Sequence, residues 1–304
     1  MKDLIITYSQ YNEDIILKAL FHDVKRGFYV DVGANDPDDD SVTKLFYDSG
    51  WSGVNIEPIK SLHTKLLKAR PRDINLHIAI GDTNNKLMFR EYIDLQGHST
   101  LAKDRVAEKG EKHKHKDYQI DVRTLSSILK DNKIKHIHFL KIDVEGFEGS
   151  VINGNNWDVY RPEVVCIEAN HVTEPWKDVL LNNDYKLFVF DGLNEYYIAK
   201  EAWGRTIGFE ERAVRAQSGA LRINNFNAWK QDKALLLKLE KALKNIDKQN
   251  LHLQKQILDQ NNQINELLLE NTLTLKNRKL MSRIKRSIYG LTVDWYNYIK
   301  KTKT

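Results

Sequence analysis

Two short stretches of sequence constrain the fold most. Residues 27–35 read GFYVDVGAN, and residues 139–146 read FLKIDVEG. In each, an apolar run ends at an acidic residue close to a glycine, which is typical of a buried parallel strand followed by a tight turn. Because ligands of open α/β sheets bind beyond the carboxyl ends of the strands, we expect both stretches to border one ligand site.

The composition limits the classes of protein that fit. A chain of 304 residues has room for one large domain with an appendage, or for two domains. The apolar content of 41% is enough to bury a core, whereas the mean hydropathy of −0.55 predicts an additional extended, solvated segment. The single cysteine, Cys166, lies in an apolar run, so we expect it to be buried and expect no disulfide framework. No apolar stretch has signal-peptide or transmembrane length, which favours a cytoplasmic protein.

The net charge of +5 is concentrated at the C-terminus. Residues 276–304 contain nine Lys or Arg residues and one acid, Asp294, which leaves 38 basic and 41 acidic residues in the rest of the chain. The main part of the chain is therefore mildly acidic, which argues against a nucleic-acid groove there. The pattern favours an anionic partner that contacts the C-terminal segment.

Short apolar runs alternate with helical segments up to about residue 226. The predicted strands cover residues 28–32, 53–57, 75–80, 138–143, 163–169, 186–190 and 195–199. The predicted helices cover residues 41–48, 60–69, 125–130 and 148–152. This alternation predicts a mostly parallel, doubly wound sheet, in which the last two strands form an antiparallel edge. Residues 98–116 are polar and are interpreted as a mobile surface loop that could act as a lid.

The ends of the first two predicted strands indicate a nucleoside site. A single glycine, Gly33, follows Asp31, so the GxGxxG diphosphate cradle is absent and an adenosyl compound without phosphates fits better. Glu57, at the end of the second predicted strand, is placed to accept both ribose hydroxyls. Taken singly, each acid has an alternative role as a helix cap.

From residue 230 the apolar residues recur in alternating steps of three and four. With Leu236 at position a, a coiled-coil seam runs through five or six heptads. Asn250 and Asn271 fall at a positions, which favours an in-register parallel dimer. The alternative is an amphipathic helix packed on its own domain. We therefore divide the chain into a domain over 1–228, a coiled coil over 229–279 and a basic amphipathic tail over 280–304.

The tail combines aromatic and basic residues. Residues 278–301 place Trp, Tyr and Ile side chains on roughly one helical face, with basic residues at both ends, although Gly290 weakens the helix. This pattern suits the surface of an anionic membrane. A docking helix for a partner protein fits equally well, and a solvated tail without a partner is the third interpretation.

Six blocks of sequence, taken in order, resemble the FkbM-type methyltransferases. The blocks are SQYNED (9–14), GFYVDVGANDPDDDSVTKLFYDSGWSGVNIEP (27–58), STL (99–101), TLSSIL (124–129), FLKIDVEGFEGSVINGNNW (139–157) and RPEVVCIE (161–168). The resemblance spans about residues 8–200. It implies a class I methyltransferase fold, which is a Rossmann-like α/β fold with a mostly parallel seven-stranded sheet. The C-terminal coiled-coil helix that is predicted to follow this fold lies outside the resemblance, as does the basic tail. The resemblance also implies S-adenosyl-L-methionine as the cofactor and sugar hydroxyls of glycans or natural products as acceptors.

The resemblance further implies which residues bind the cofactor. Asp31, Gly33 and Asn35 would line its methionine side. Glu57 would bind the ribose and Asp82 the adenine. The N-terminal block would cover the cofactor. The full set implied in this way is Gln10, Glu13, Asp14, Asp31, Gly33, Ala34, Asn35, Glu57, Pro58, Asp82 and Asp143.

A sugar hydroxyl is a weak nucleophile at neutral pH and benefits from a base or a metal ion. The candidate catalytic residues are Asp143, Glu145, Glu168 and His171. Asp143, Glu168 and Asn170 together resemble the Mg²⁺ site of some class I O-methyltransferases, and oxygen ligands suit Mg²⁺. Alternatively, Asp143 and Glu145 cap the next helix and transfer depends on positioning alone.

The leading interpretation is an S-adenosylmethionine-dependent O-methyltransferase that modifies a sugar of a surface glycan or of its lipid-linked precursor. The tail would hold it at the inner face of the cell membrane or on a glycan-assembly protein. An NAD(P)-dependent oxidoreductase is the first alternative, and the single-glycine loop disfavours it. A coiled-coil scaffold with an inactive methyltransferase domain is the second, and the retained acids Asp31, Glu57, Asp143 and Glu145 disfavour that.

Overall fold

The computed structural model of the chain describes residues 5–95, 97–102, 106, 113–169, 176–218, 220–222, 256 and 259–263. Residues 2–231 form one compact unit, and residues 232–304 belong to a second unit together with Met1. In the second unit the few described residues are helical and exposed. Apart from residues 256 and 259–263, the predicted coiled coil lies outside the described residues, and so does the whole basic tail. Among the described residues, no helix is both long and apolar enough to cross a membrane.

The first unit alternates strands and helices along the chain. Its strands are β1 (Ile5–Thr7), β2 (Phe28–Val32), β3 (Ser52–Ile56), β4 (Ile74–Leu76), β5 (Ala79–Ile80), β6 (Asn85–Tyr92), β7 (His115–Arg123), β8 (Phe139–Ile142), β9 (Val164–Glu168), β10 (Tyr185–Phe190), β11 (Asn194–Ala199) and β12 (Ala220–Arg222). Its α-helices are α1 (Glu13–Leu20), α2 (Lys44–Asp48), α3 (Lys60–Ala69), α4 (Leu125–Asp131), α5 (Glu148–Asn153), α6 (Lys177–Asn182) and α7 (Phe209–Ser218).

Seven strands form one sheet in the order β10-β11-β9-β8-β2-β3-β4. The pairs among β9, β8, β2, β3 and β4 are parallel, whereas β11 runs antiparallel to both of its neighbours. The predicted mostly parallel seven-stranded sheet with an antiparallel edge is thereby confirmed. Its order also brings the carboxyl ends of β2, β3 and β8 side by side, as ligand binding in such sheets requires.

The central strands are buried on both faces, which explains their continuous apolar sequence. Every residue of β8 and β9 is buried, including Cys166, as expected from the sequence. Aromatic packing fills one side of the sheet: the ring of Phe139 lies 4.9 Å from that of Phe46 and 5.7 Å from that of Tyr29. Each such side chain stabilises the fold by about 1.5–3 kcal/mol through its removal from water.

A second, three-stranded sheet was not predicted. Its order is β5-β7-β6, with β6 and β7 antiparallel. The single predicted strand over residues 75–80 is wrong, because the structure splits it into β4 and β5, which belong to different sheets. The predicted surface loop over 98–116 is wrong at its end, because β7 begins at His115. Apolar and polar residues do alternate from Tyr118 to Val122, but the flanking charges hide this short pattern.

Candidate active site

A cleft lies at the carboxyl ends of β2, β3 and β8, where the sequence predicted a ligand site. Several predicted site residues line it, namely Gly33, Asn35, Glu57, Pro58, Asp143 and Glu145. Apolar residues from the second sheet and neighbouring segments complete the wall: Ile78, Ala79, Ile80, Phe89, Leu101 and Phe147. The unpredicted second sheet therefore builds one side of the cleft.

The turns that follow the three strands are tied together by backbone hydrogen bonds. The amides of Gly33 and Ala34 both donate to the carbonyl of Ile56, at 3.0 and 3.1 Å, and the Asp143 amide donates to the Val32 carbonyl at 3.1 Å. Gly33 has a φ of +80°, and a Cβ placed on it would lie 1.9 Å from the Asp143 carbonyl oxygen. The close approach of these two turns therefore requires glycine at this position.

Glu57 is buried and oriented by backbone amides. Its two carboxylate oxygens accept the N–H of Asn35 at 2.8 Å and the N–H of Ile59 at 2.7 Å. Burial raises the pKa of Glu57 to about 7, although both amides act against this shift by favouring the ionised form. The carboxylate is thereby fixed at the edge of the cleft, with lone pairs left for a ligand hydroxyl.

Asp31 lies behind the turn and does not line the cleft. It is 1% exposed, and its Oδ2 accepts the Thr43 hydroxyl at 2.9 Å. Burial raises the pKa of Asp31, and the ammonium group of Lys141 opposes that shift. Ala34 is also buried and does not line the cleft. The predicted direct cofactor contacts of Asp31 and Ala34 stay predictions.

Three carboxylates meet beside the cleft. Asp143, Glu145 and Glu168 each offer an oxygen within 4.8 Å of the others, a spacing that suits a metal ion. Burial, followed by the nearby charges of Asp143 and Glu145, holds the pKa of Glu168 well above its usual range. The other two predicted members, Asn170 and His171, lie outside the described residues. The arrangement favours a cation or a shared proton among these acids.

A histidine that the sequence analysis did not single out contacts this cluster. His98 Nδ1 lies 3.0 Å from Glu145 Oε1, and the Thr100 hydroxyl donates to the Glu145 carbonyl at 2.8 Å. Gly97, Ser99 and Leu101 from the same segment line the cleft. This segment therefore forms part of the cleft wall, and the lid role of the predicted loop over 98–116 stays a prediction. The signal for His98 was its position next to the STL block.

The N-terminal block lies beside the cleft and does not line it. Glu13 is buried and accepts the Asn194 side-chain amide at 3.1 Å, and Asn194 is the strand partner of Glu168. Asp14 accepts hydroxyls from Thr7 and Ser9, at 2.6 and 2.8 Å. Gln10 is exposed in a separate groove. The predicted cofactor contacts of these three acidic and amide side chains stay predictions.

Asp82, implied as the adenine ligand, follows β5. Its side chain is exposed and accepts the Thr83 hydroxyl at 3.3 Å. It does not line the cleft. Its role in adenine binding stays a prediction.

A second group of possible metal ligands lies at the amino ends of β8 and β9, away from the cleft. Its members are His136, His138 and Glu163. His138 Nδ1 accepts the backbone N–H of Phe28 at 3.0 Å, so the proton of the neutral ring is on Nε2 and no ring nitrogen is left for a metal. His136 is exposed and lies 2.9 Å from Glu163, whereas His138 is half-buried. His138 therefore contributes to the fold, through its hydrogen bond with the first residue of β2, and not to a metal site.

The comparison with known families agrees with this geometry. The family described as the methyltransferase FkbM domain matches residues 31–197, which is more than half of the chain. Curated proteins gave no significant match. The matched segment begins at Asp31, ends in β11 and includes Glu57 and the three clustered acids. The chain therefore belongs to the FkbM methyltransferase family.

Proposed function

We propose that the protein is an S-adenosylmethionine-dependent O-methyltransferase. One observation carries this proposal: a single cleft combines the oriented, buried carboxylate of Glu57 with an apolar wall and a tight turn at Gly33. Glu57 would accept the ribose hydroxyls, and the apolar wall would cover the adenine. The turn allows the backbone to approach the methionine portion closely.

The charge of the cleft favours an adenosyl sulfonium compound over a dinucleotide. None of the described residues that line the cleft carries a cationic side chain, whereas Glu57, Asp143 and Glu145 are acids. The diphosphate of NAD(P) would meet no positive partner among them and no GxGxxG turn. This supports the methyltransferase over the oxidoreductase alternative.

The acid cluster is suited to handling the acceptor hydroxyl. S-adenosylmethionine supplies an electrophilic methyl group on its sulfonium. Asp143, Glu145 or Glu168 would take up the hydroxyl proton as the oxygen attacks, and His171 is the further candidate base from the sequence. The oxygen donors fit a Mg²⁺ ion as well, which Asp143 and Glu168 would hold, with Asn170 as the third ligand implied by the family resemblance.

We also propose a sugar hydroxyl of a surface glycan, or of its lipid-linked precursor, as the acceptor. This rests on the family resemblance and on the basic, aromatic C-terminal sequence, which suits an anionic membrane or a glycan-assembly protein. Pairing through the 229–279 segment would present two such tails and raise their combined affinity for a membrane. Attachment would be peripheral, at the inner face of the cell membrane.

Calorimetry with S-adenosylhomocysteine and NADH, side by side on the full chain, tests the proposed cofactor. We expect binding of S-adenosylhomocysteine and none of NADH. Tighter binding of NADH would favour the oxidoreductase. Absence of binding by both compounds would favour the inactive scaffold.

A further inference from the structure

Lys141 lies in the middle of β8 and is 7% exposed. A buried ammonium group is costly unless charges and hydrogen-bond acceptors surround it. Here its Nζ donates to the Gly33 carbonyl at 2.9 Å and lies 3.2 Å from Asp143 Oδ2 and 3.6 Å from Asp31 Oδ1. Three residues at the carboxyl ends of β2 and β8 therefore meet at one side chain.

These contacts join two strands at the point where both end. Asp31 and Lys141 are partners in the parallel register of β2 and β8, so the lysine extends from β8 under the turn that follows β2. Within the described part of the chain, no hydrogen bond reaches Asp31 Oδ1. Its counter-charge is the Lys141 ammonium, which also holds one oxygen of Asp143.

Lys141 contacts two residues that line the cleft, Gly33 and Asp143, but it does not line the cleft itself. The Gly33 carbonyl is fixed by the lysine, and its amide is fixed by Ile56. Without the ammonium group, the turn would lose a charge-assisted hydrogen bond and Asp143 would lose its cationic neighbour.

We propose that Lys141 is a positioning residue for the adenosyl cofactor. It acts through the Gly33 turn and the Asp143 carboxylate, which it holds in the arrangement that binds the methionine portion. This role rests on the proposed function. A lysine that only offsets the Asp31 charge would matter for folding but not for the affinity of the folded protein.

The test compares S-adenosylhomocysteine affinity among full-length variants whose folding is verified by circular dichroism and thermal melting. Lys141→Met removes the cation, and Asp31→Asn/Lys141→Met also removes the buried charge that it balances. Lys141→Arg keeps a cation and N–H donors. The matched control is Lys177→Met, which breaks the 2.7 Å pair of Lys177 with Glu195 away from the cleft.

We expect the double variant to fold and to bind S-adenosylhomocysteine about 10-fold or more weakly, since charge-assisted hydrogen bonds contribute on that scale. Lys141→Met should show the same loss of affinity if it folds. Lys141→Arg should bind S-adenosylhomocysteine more tightly than Lys141→Met, because it keeps a cation and N–H donors. The affinity of Lys177→Met for S-adenosylhomocysteine should stay within about twofold of the wild-type affinity. A folded double variant with wild-type affinity would overturn the positioning role alone. A wild-type chain that does not bind S-adenosylhomocysteine would instead overturn the proposed function, and this role with it.

Discussion

The carboxylate of Glu57 accepts the backbone N–H of Asn35 at 2.8 Å, which links the end of β3 to the turn after β2. Asn35 has a φ of 51°, a left-handed conformation that asparagine tolerates better than most residues. One side chain thereby fixes a turn and presents an acceptor to the cleft. A substitution at Glu57 should affect both.

Glu57→Ala is expected to weaken S-adenosylhomocysteine binding by about 1.5–3 kcal/mol, the scale of lost charge-assisted hydrogen bonds. Isothermal titration calorimetry measures this directly. Asp131→Ala is the control, because Asp131 pairs with Arg123 at 2.8 Å and does not line the cleft. Equal affinity of Glu57→Ala and the wild type would contradict the ribose role.

Gly33→Ala should destabilise the protein far more than Gly50→Ala. Both glycines have positive φ, +80° and +92°, so both variants bear backbone strain of about 1 kcal/mol. At Gly33 the new Cβ would also meet the Asp143 carbonyl at 1.9 Å, whereas at Gly50 nothing lies within 4 Å. Urea denaturation of both variants checks this. Similar losses of stability in the two variants would contradict this prediction, because they would mean that the Gly33 turn can move away from the Asp143 carbonyl at little cost.

Glu148→Gln tests a buried charge beside the site. Burial raises the pKa of Glu148 to about 7, and its Oε1 accepts the amides of Val144 and Gly146, both at 3.1 Å. Between about pH 4.5 and pH 7, Glu148 is therefore mostly protonated in the folded state and mostly ionised in the unfolded state. Through this group, the stability of the wild type falls as the pH rises across that window.

The glutamine variant lacks this dependence. Its stability relative to the wild type should rise by about 1–3 kcal/mol between pH 4.5 and pH 8. Glu201→Gln is the control of opposite sign, because a hydrogen bond from Arg161 lowers the pKa of Glu201. Urea denaturation at a series of pH values measures both trends. Parallel trends for the two variants would refute the assignment.

A metal ion at the acid cluster should be detectable without an acceptor. We expect Mn²⁺, as a stand-in for Mg²⁺, to bind the full chain in an electron paramagnetic resonance titration, and Asp143→Asn to weaken that binding about tenfold or more. In turnover assays, a chelator should then abolish methyl transfer and Mg²⁺ should restore it. Activity that survives chelation but is lost in His171→Ala would replace the metal by a general base.

The C-terminal segment should bind anionic vesicles. Vesicles that contain phosphatidylserine should co-sediment with the full chain but not with a chain ending at Asn277. The shorter chain lacks most of the basic residues and all of the aromatic residues of the C-terminal segment 276–304. Vesicles of neutral lipid are the control. Equal binding of both chains, or a monomer in light scattering, would defeat this part of the proposal.

The strands of the main sheet were predictable because burial on both faces leaves mostly apolar runs, as in β8 and β9. Helix α3 was predicted with its observed ends, Lys60–Ala69. The strands β6 and β7 carry charged residues on an exposed face, so neither was predicted as a strand, and the start of β7 was assigned to a loop. The two strands pair residues that are separated along the chain. The periodicity within one short stretch of sequence does not reveal such pairing.

The site was predictable where an acid ends a strand, as for Glu57 and Asp143. The contact of His98 with Glu145 was not, since it depends on the segment after β6 folding back over the cleft. Lys141 was passed over because a lysine inside an apolar strand gives no indication of which carboxylates will surround it. Such partners are set by the register of neighbouring strands, here Asp31 opposite Lys141.

The bridge between Arg90 and Thr100 has a consequence for engineering the chain. Their backbones exchange both hydrogen bonds, each 3.1 Å long, and thereby secure the segment that lines the cleft. The described residues that this segment contributes to the cleft wall all lie before Ala102, and β7 begins only at His115. A peptide tag or a longer acceptor-recognition loop inserted between these two points should leave the cofactor cleft intact, so the acceptor range could be changed separately from cofactor binding.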